Sequence, residues 1–194
     1  YGGGIGTYVY NTAKMLSRNE WTVTIFLYNN SLRRDKISNT DKIRLIEFTS
    51  FRSKEAKALG FESARSYDFA TVLKDYMKTE GLPDVLESQE YGAVPYYALQ
   101  FKHLDYPYFR DLKILLTLHA PSFLYNQYNR VSSFELPYYW IGEMEKWCII
   151  AADLLNAPSR FIVEQIKKNL PEHHLLTIHI IPLPYEIKTN DQES

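Results

Sequence analysis

The sequence lacks most of what marks a specialised class. It has a single cysteine, Cys148, so no internal disulfide can form and a disulfide-stapled secreted scaffold is excluded. It has no excess of either charge: 22 Lys+Arg against 23 Asp+Glu leave a formal net charge of −1. A dedicated nucleic-acid binder would carry a basic excess, so no nucleic-acid partner is expected. No apolar run approaches the roughly 18 residues of a membrane span. The N-terminus has no basic-then-apolar leader pattern, and a cytoplasmic location is the resulting expectation. Internal repeats and low-complexity segments are also missing.

What is present is a chain of 194 residues in which aromatics make up 15%, with 16 Tyr. That length fits one domain with its own core. Tyrosine combines an apolar ring with a hydroxyl and suits wet clefts and interfaces, though many tyrosines simply sit half-buried.

The apolar pattern alternates between two periods. Ile5, Val9, Thr12, Ala13 and Leu16 recur at helical spacing, and Trp21 to Tyr28 then reads as a strand. Asn29 to Asp41 is polar and reads as a loop, and Lys42 to Phe48 as an outer strand. Phe69, Val72, Leu73, Tyr76 and Met77 mark an amphipathic helix that Gly81-Leu82-Pro83 stops. Asp84 to Ser88 predicts a strand and Ala93 to Phe101 a helix with Pro95 in its first turn. Leu112 to Leu118 predicts a central strand whose Ile114-Leu115-Leu116 run is buried on both faces. Pro121 to Tyr139 reads as irregular, and Trp140 to Ala152 as a helix with Ile141, Met144, Cys148 and Ala151 inside. Asp153 to Ala157 and Thr177 to Ile181 predict strands, and between them Ser159 caps a helix with Ile162, Ile166 and Leu170 inward. Alternating strands and helices imply an α/β, Rossmann-like fold with a mostly parallel sheet and helices on both faces. Residues 1–184 form that domain, and 185–194 read as a linker or tail.

In such sheets ligands bind beyond the carboxyl ends of the strands. That rule selects the glycine turn, Ser88 to Gly92, His119 to Asn129 and Ala157 to Arg160. Gly2-Gly3-Gly4-Ile5-Gly6 opening a helix lets backbone N–H groups approach an anion. It is a poor dinucleotide fingerprint, because Val9 or Thr7 stands where the third glycine belongs and Tyr28-Asn29-Asn30 replaces the expected acid. A ligand-free strand-to-helix turn explains it equally well. His119 follows the central strand, where an imidazole can bond a ligand hydroxyl or act as a base, or simply satisfy a carbonyl. The Glu90 carboxylate, after a strand, is placed to receive sugar hydroxyls or to sit solvated in a loop. Cys148 lies on an apolar helix face and reads as core. The remaining histidines, His103, His173, His174 and His179, lack partners at metal-ligand spacing, so no metal site is expected.

These motifs occur in a recognisable order. Gly3-Gly4-Ile5-Gly6-Thr7-Tyr8-Val9, Glu87-Ser88-Gln89-Glu90-Tyr91-Gly92-Ala93, Leu118-His119-Ala120-Pro121-Ser122-Phe123-Leu124, Glu145 through Ala151-Ala152-Asp153, Ala157-Pro158-Ser159 and Ile181-Pro182 together resemble the N-terminal half of group 1 (family 4) glycosyltransferases of the GT-B architecture. The resemblance runs roughly from Gly2 to Pro184. It implies a transferase, of the hexosyltransferase type, that moves a sugar from a nucleotide-sugar to a glycan, lipid or small-molecule acceptor with retention of anomeric configuration. Cell-envelope polysaccharide biosynthesis is a typical setting, and the nucleotide-sugar is substrate, with no separate cofactor.

The resemblance also implies residue roles. Gly3, Gly4 and Gly6 border the donor diphosphate, and His119, the catalytic candidate, contacts the donor sugar near the reacting carbon. Position adds Thr7, Glu90, Tyr91, Tyr125 and Asn129 on the acceptor side, with Arg160 as a secondary anion contact. The family's first strand would precede the glycine turn and is not in this sequence, nor is the C-terminal donor domain with its Glu-x7-Glu motif. The expectation is therefore half a site, a donor domain as partner, and no turnover by this chain alone. Peripheral membrane association of the parent is compatible with the family, and a sheet gap left by the missing first strand predicts association between chains, as a homo-oligomer. Two other readings stay open: a non-catalytic carbohydrate-binding or interaction module, and a Rossmann oxidoreductase or nucleotide-binding domain.

Overall fold

A computed structural model describes residues 3–29, 42–49, 60–132, 134–170 and 177–184. The chain divides into two compact units, residues 1–47 with 182–194, and residues 48–181. The expected loop over Asn29 to Asp41 and the tail over Lys188 to Ser194 lie outside the described residues, apart from Asn29.

In the first unit, helix α1 (Gly3–Arg18) precedes strands β1 (Val23–Tyr28) and β2 (Ile43–Phe48), which pair in a two-stranded sheet. Ala13 and Ile25 are the buried apolar residues of helix and strand. The Asn11 side chain donates to the Pro184 carbonyl at 3.3 Å, joining α1 to the returning chain.

The second unit holds helix α2 (Phe61–Glu80), β3 (Leu86–Gln89), a 3-10 turn (Tyr91–Ala93), α3 (Tyr96–His103), β4 (Ile114–Thr117), α4 (Ser122–Tyr128), α5 (Tyr138–Ala151), β5 (Leu154–Ala157), α6 (Arg160–Asn169) and β6 (Ile178–Ile180). Its sheet has the order β3-β4-β5-β6 and every pairing is parallel, with Gln89 opposite Thr117, Thr117 opposite Asn156 and Asn156 opposite His179. Strands joined by helices and paired in parallel give the α/β, Rossmann-like fold expected. Ile114 and Leu116 of the central run are fully buried, while Leu115 between them is half-buried.

The helices form where apolar faces can be covered. On α2, Phe69, Leu73 and Met77 are buried as the periodicity predicts. Small residues on the same helix, Ser63, Ala64, Ser66 and Ala70, are buried too and let α3 approach closely. Burying a side chain such as Leu73, Leu99 or Leu116 stabilises the unit by about 1.5–3 kcal/mol each. The start of α3 has no capping side chain of its own; the Tyr97 N–H donates to Ser66 Oγ of α2 at 3.0 Å. α3 begins at Tyr96, later than Ala93, because Gly92 and Ala93 have positive φ and break the helical path. Pro95 is consequently its cap, outside the first turn. Asp153 joins two strands: its Oδ2 accepts the Ile114 N–H at 2.7 Å and its Oδ1 meets Lys102 Nζ at 3.2 Å.

A further expectation is corrected. The stretch from Pro121 to Tyr139 contains a helix, α4, where an irregular segment was expected. Its first turn has no local side-chain cap, and its donors are taken by Glu145, 22 residues and more away. A partner that distant leaves no signature in the local sequence.

Candidate functional site

The predicted site residues fall in both units. Gly3, Gly4, Gly6 and Thr7 belong to the first; Glu90, Tyr91, His119, Tyr125, Asn129 and Arg160 belong to the second.

In the first unit the glycines open α1. Gly3 has φ +87, a conformation that side chains with a Cβ rarely adopt. A Cβ added at Gly3, Gly4 or Gly6 would meet nothing within 4 Å among the described residues. Packing against the described residues therefore sets no demand for glycine at these three positions. The helix start also carries backbone N–H groups without an intrahelical acceptor. The Thr7 hydroxyl donates to the Gly3 carbonyl at 3.3 Å, and Thr7 is exposed.

In the second unit the site grows from the carboxyl end of the sheet. The Leu118 N–H still pairs with the Asn156 carbonyl at 2.8 Å, and His119 is the first residue past that ladder. Its N–H donates to Glu90 Oε1 at 2.7 Å. From the sequence, Glu90 either receives sugar hydroxyls or sits solvated in a loop. It is instead fully buried, with Oε2 lacking a hydrogen-bond partner among the described residues. Burial pushes the Glu90 carboxyl up to about 8. At pH 7 it is mostly the neutral acid, and it touches the site through His119.

A second buried acid backs it. Glu145 of α5 accepts the Gly92 N–H at 2.7 Å on Oε1, and the Ser122 hydroxyl at 2.7 Å and the Phe123 N–H at 3.3 Å on Oε2. Burial raises its pKa, against the pull of these donors. Glu143 points outward, as its separation from Glu145 by two positions on a helix implies. Glu90 and Glu145 thus stand as buried acids from two elements, and the Glu145 charge adds to the upward push on the Glu90 carboxyl.

The His119 imidazole is partly buried, and that burial holds it below the ordinary histidine range, with the Glu87 carboxylate acting in the opposite sense. A neutral ring at pH 7 can donate from one nitrogen and accept at the other. The Thr117 hydroxyl donates to Glu87 Oε1 at 2.5 Å, which fixes the acid on β3.

Around this centre the aromatic side chains face outward. Tyr91 and Tyr125 are exposed, as are Tyr128 and Phe161, whose ring centroids lie 6.4 Å apart. Asn129 is exposed and its Nδ2 donates to the Tyr125 carbonyl at 2.8 Å, closing α4. Arg160 is exposed at the first position of α6, beside Ser159, whose Oγ accepts the Ile162 N–H at 3.4 Å as the capping pattern predicts. Cys148 is fully buried, in keeping with core packing. Among the described residues, no three His, Cys, Asp or Glu side chains are grouped as a metal ion would require.

A family model described as Glycosyltransferase Family 4 matches residues 2–186. The chain belongs to that family. No curated protein matches it. Membership of a glycosyltransferase family supports a transferase parent. Among its described residues no helix is long and apolar enough to cross a membrane.

Three residues that the structure places around His119 and Glu90 were given no role from the sequence: Glu87, Thr117 and Glu145. Glu145 did carry a signal. It stands four residues after Ile141 and four before Ile149, on the apolar side of its helix. An acid there must be matched by buried donors.

Proposed function

We propose that this family 4 domain is the acceptor-side half of a glycosyltransferase that moves a sugar from a nucleotide-sugar to a glycan, lipid or small-molecule acceptor with retention. The observation that carries the reading is His119: a partly buried, neutral imidazole held by its backbone at the carboxyl end of β4. In the reaction the bond between the anomeric carbon and the diphosphate oxygen breaks, a bond from that carbon to the acceptor oxygen forms on the same face, and the acceptor hydroxyl's proton leaves with the nucleoside diphosphate. His119 donates a hydrogen bond to the donor sugar close to the reacting carbon. Such a preorganised donor stabilises charge that develops in the transition state without having to reorganise.

Tyr91, Tyr125 and Asn129 form the acceptor side in the second unit, where exposed rings offer flat apolar faces to a sugar and polar tips to its hydroxyls. Thr7 is the acceptor contact of the first unit. The glycine turn is an anion contact: among the described residues nothing stands within 4 Å of a Cβ added at Gly3, Gly4 or Gly6, and the N–H groups of a helix start suit a diphosphate. Arg160 is a secondary anion contact. The donor diphosphate and nucleotide need a second domain, so turnover belongs to the natural full-length protein.

The test is a transfer assay of that full-length protein with a panel of nucleotide-sugars and simple acceptors, reading the anomeric configuration of the product by NMR. The expected result is product of retained configuration and a loss of about 10²-fold in kcat for His119→Ala. Inverted product, or a His119→Ala enzyme with unchanged kcat, overturns the reading.

A further inference from the structure

We infer that Glu90 is a positioning residue for His119, holding the histidine main chain so that the ring keeps one orientation at the end of β4. The inference rests on the reading of His119 as the donor-sugar contact and names the group that sets its geometry.

The argument starts from where the sheet stops. Leu118 is the last residue of this segment whose N–H pairs with β5. The next donor, His119 N–H, needs another acceptor or the turn is free to rotate. Glu90, the residue directly after β3, supplies it at 2.7 Å, with no exposed surface of its own. The Ala120 N–H also bears on the same carboxyl group. Two residues further on, Glu145 takes the Ser122 hydroxyl and the Phe123 N–H. The segment from His119 to Phe123 is therefore held at both ends by carboxyl groups from different elements.

This solution is expensive. Glu90 has a second oxygen buried without a partner among the described residues, and burial drives the group to its neutral form. Were a folded turn the only requirement, an apolar side chain with water on the His119 amide would cost less. What the carboxyl group adds is a fixed direction for the His119 backbone, and a side chain follows its backbone. Glu145 secures the same loop by also holding Gly92, two residues beyond Glu90.

The experiment uses NMR on the 194-residue chain, which needs no turnover. In the wild-type protein a through-hydrogen-bond coupling is expected between the His119 amide nitrogen and the Glu90 carboxyl carbon, with the Leu118–Asn156 pair as the reference. Its absence, with the reference present, overturns the inference. Glu90→Gln keeps an acceptor for the amide, and Glu90→Leu removes it. In Glu90→Leu the His119 amide exchanges about tenfold faster, and the ring titrates closer to an ordinary histidine. Glu90→Gln restores both. In the full-length enzyme Glu90→Leu lowers kcat by about 10²-fold with the acceptor KM unchanged, as a misplaced group does.

Identical His119 exchange and ring titration in a folded Glu90→Leu chain overturn the inference. Should Glu90→Leu not fold, the wild-type coupling and the Glu90→Gln titration still decide it. If the NMR signatures hold while His119→Ala retains full transfer activity, Glu90 positions His119 and the glycosyltransferase role of His119 is what fails.

Discussion

Glu145 on α5 accepts the backbone N–H of Gly92 at 2.7 Å across 53 residues of sequence. Its other oxygen takes the Ser122 hydroxyl and the Phe123 N–H. One buried side chain thus ties the turn after β3 to the start of α4. Removing it strands three donors at once, and each buried donor left unmatched carries a desolvation cost. Glu145→Ala is expected to destabilise the protein by on the order of 3 kcal/mol, and Glu145→Gln by less, since the amide oxygen still serves one side. Urea unfolding at pH 7 measures both. A loss below about 0.5 kcal/mol for Glu145→Ala would mean that these bonds contribute nothing in solution.

Gly92 carries a second constraint. Its φ of +68 suits glycine, and an added Cβ would run into the Arg65 guanidinium, which donates to the Gly92 carbonyl at 3.2 Å. The guanidinium is the end of a flexible chain and can swing aside, so the backbone conformation is the larger cost. Gly92→Ala is expected to lose about 1–2 kcal/mol, which lowers Tm by roughly 2–8 °C for a chain of this size. An unchanged Tm would show that the turn has other conformations at no cost.

The pH dependence of stability follows from Glu90. Its carboxyl titrates at about 8 in the folded chain against an ordinary 4.5. Between these values the folded protein holds a proton that the unfolded chain releases, so stability falls as pH rises through the window. The contribution is whole below 4.5 and gone above 8. Its steepest slope is roughly 1.4 kcal/mol per pH unit. Glu145, raised by burial, acts in the same sense. His119, lowered by burial from 6.5, acts in the opposite sense, with stability lost as pH falls below its unfolded value. The range from pH 6.5 to 8 therefore isolates the acids. Wild-type stability should decline across it and Glu90→Gln should decline less. Equal slopes would mean that Glu90 is already ionised in the fold.

Most of the architecture was legible because it rests on local periodicity. Phe69, Leu73 and Met77 mark the inner face of α2, and Ile114 and Leu116 the buried side of β4, at spacings that a helix and a strand each impose. Ser159 at the head of α6 was equally plain. The helix α4 was hidden because Glu145, its capping group, comes from elsewhere in the chain. The loop that carries Glu90 is legible and its burial is not: an acid after a strand reads as ligand-binding or solvated unless the amide it satisfies, that of His119, is known. Long-range hydrogen bonds decide the interior of this site, and pattern reading does not reach them.

The exposed rings test the acceptor side separately from the buried machinery. Tyr125 is 57% exposed on α4, and its carbonyl, not its ring, closes the helix through Asn129. Tyr125→Ala should therefore leave stability within about 0.5 kcal/mol of wild type. A sugar ring packed on the tyrosine loses that contact in both ground and transition states, which raises KM and spares kcat. The expected change in acceptor KM of the full-length enzyme is roughly three- to tenfold, the size of one aromatic contact. A fall in kcat at constant KM would instead place Tyr125 beside the reacting carbon, and no change in either would move the acceptor away from α4.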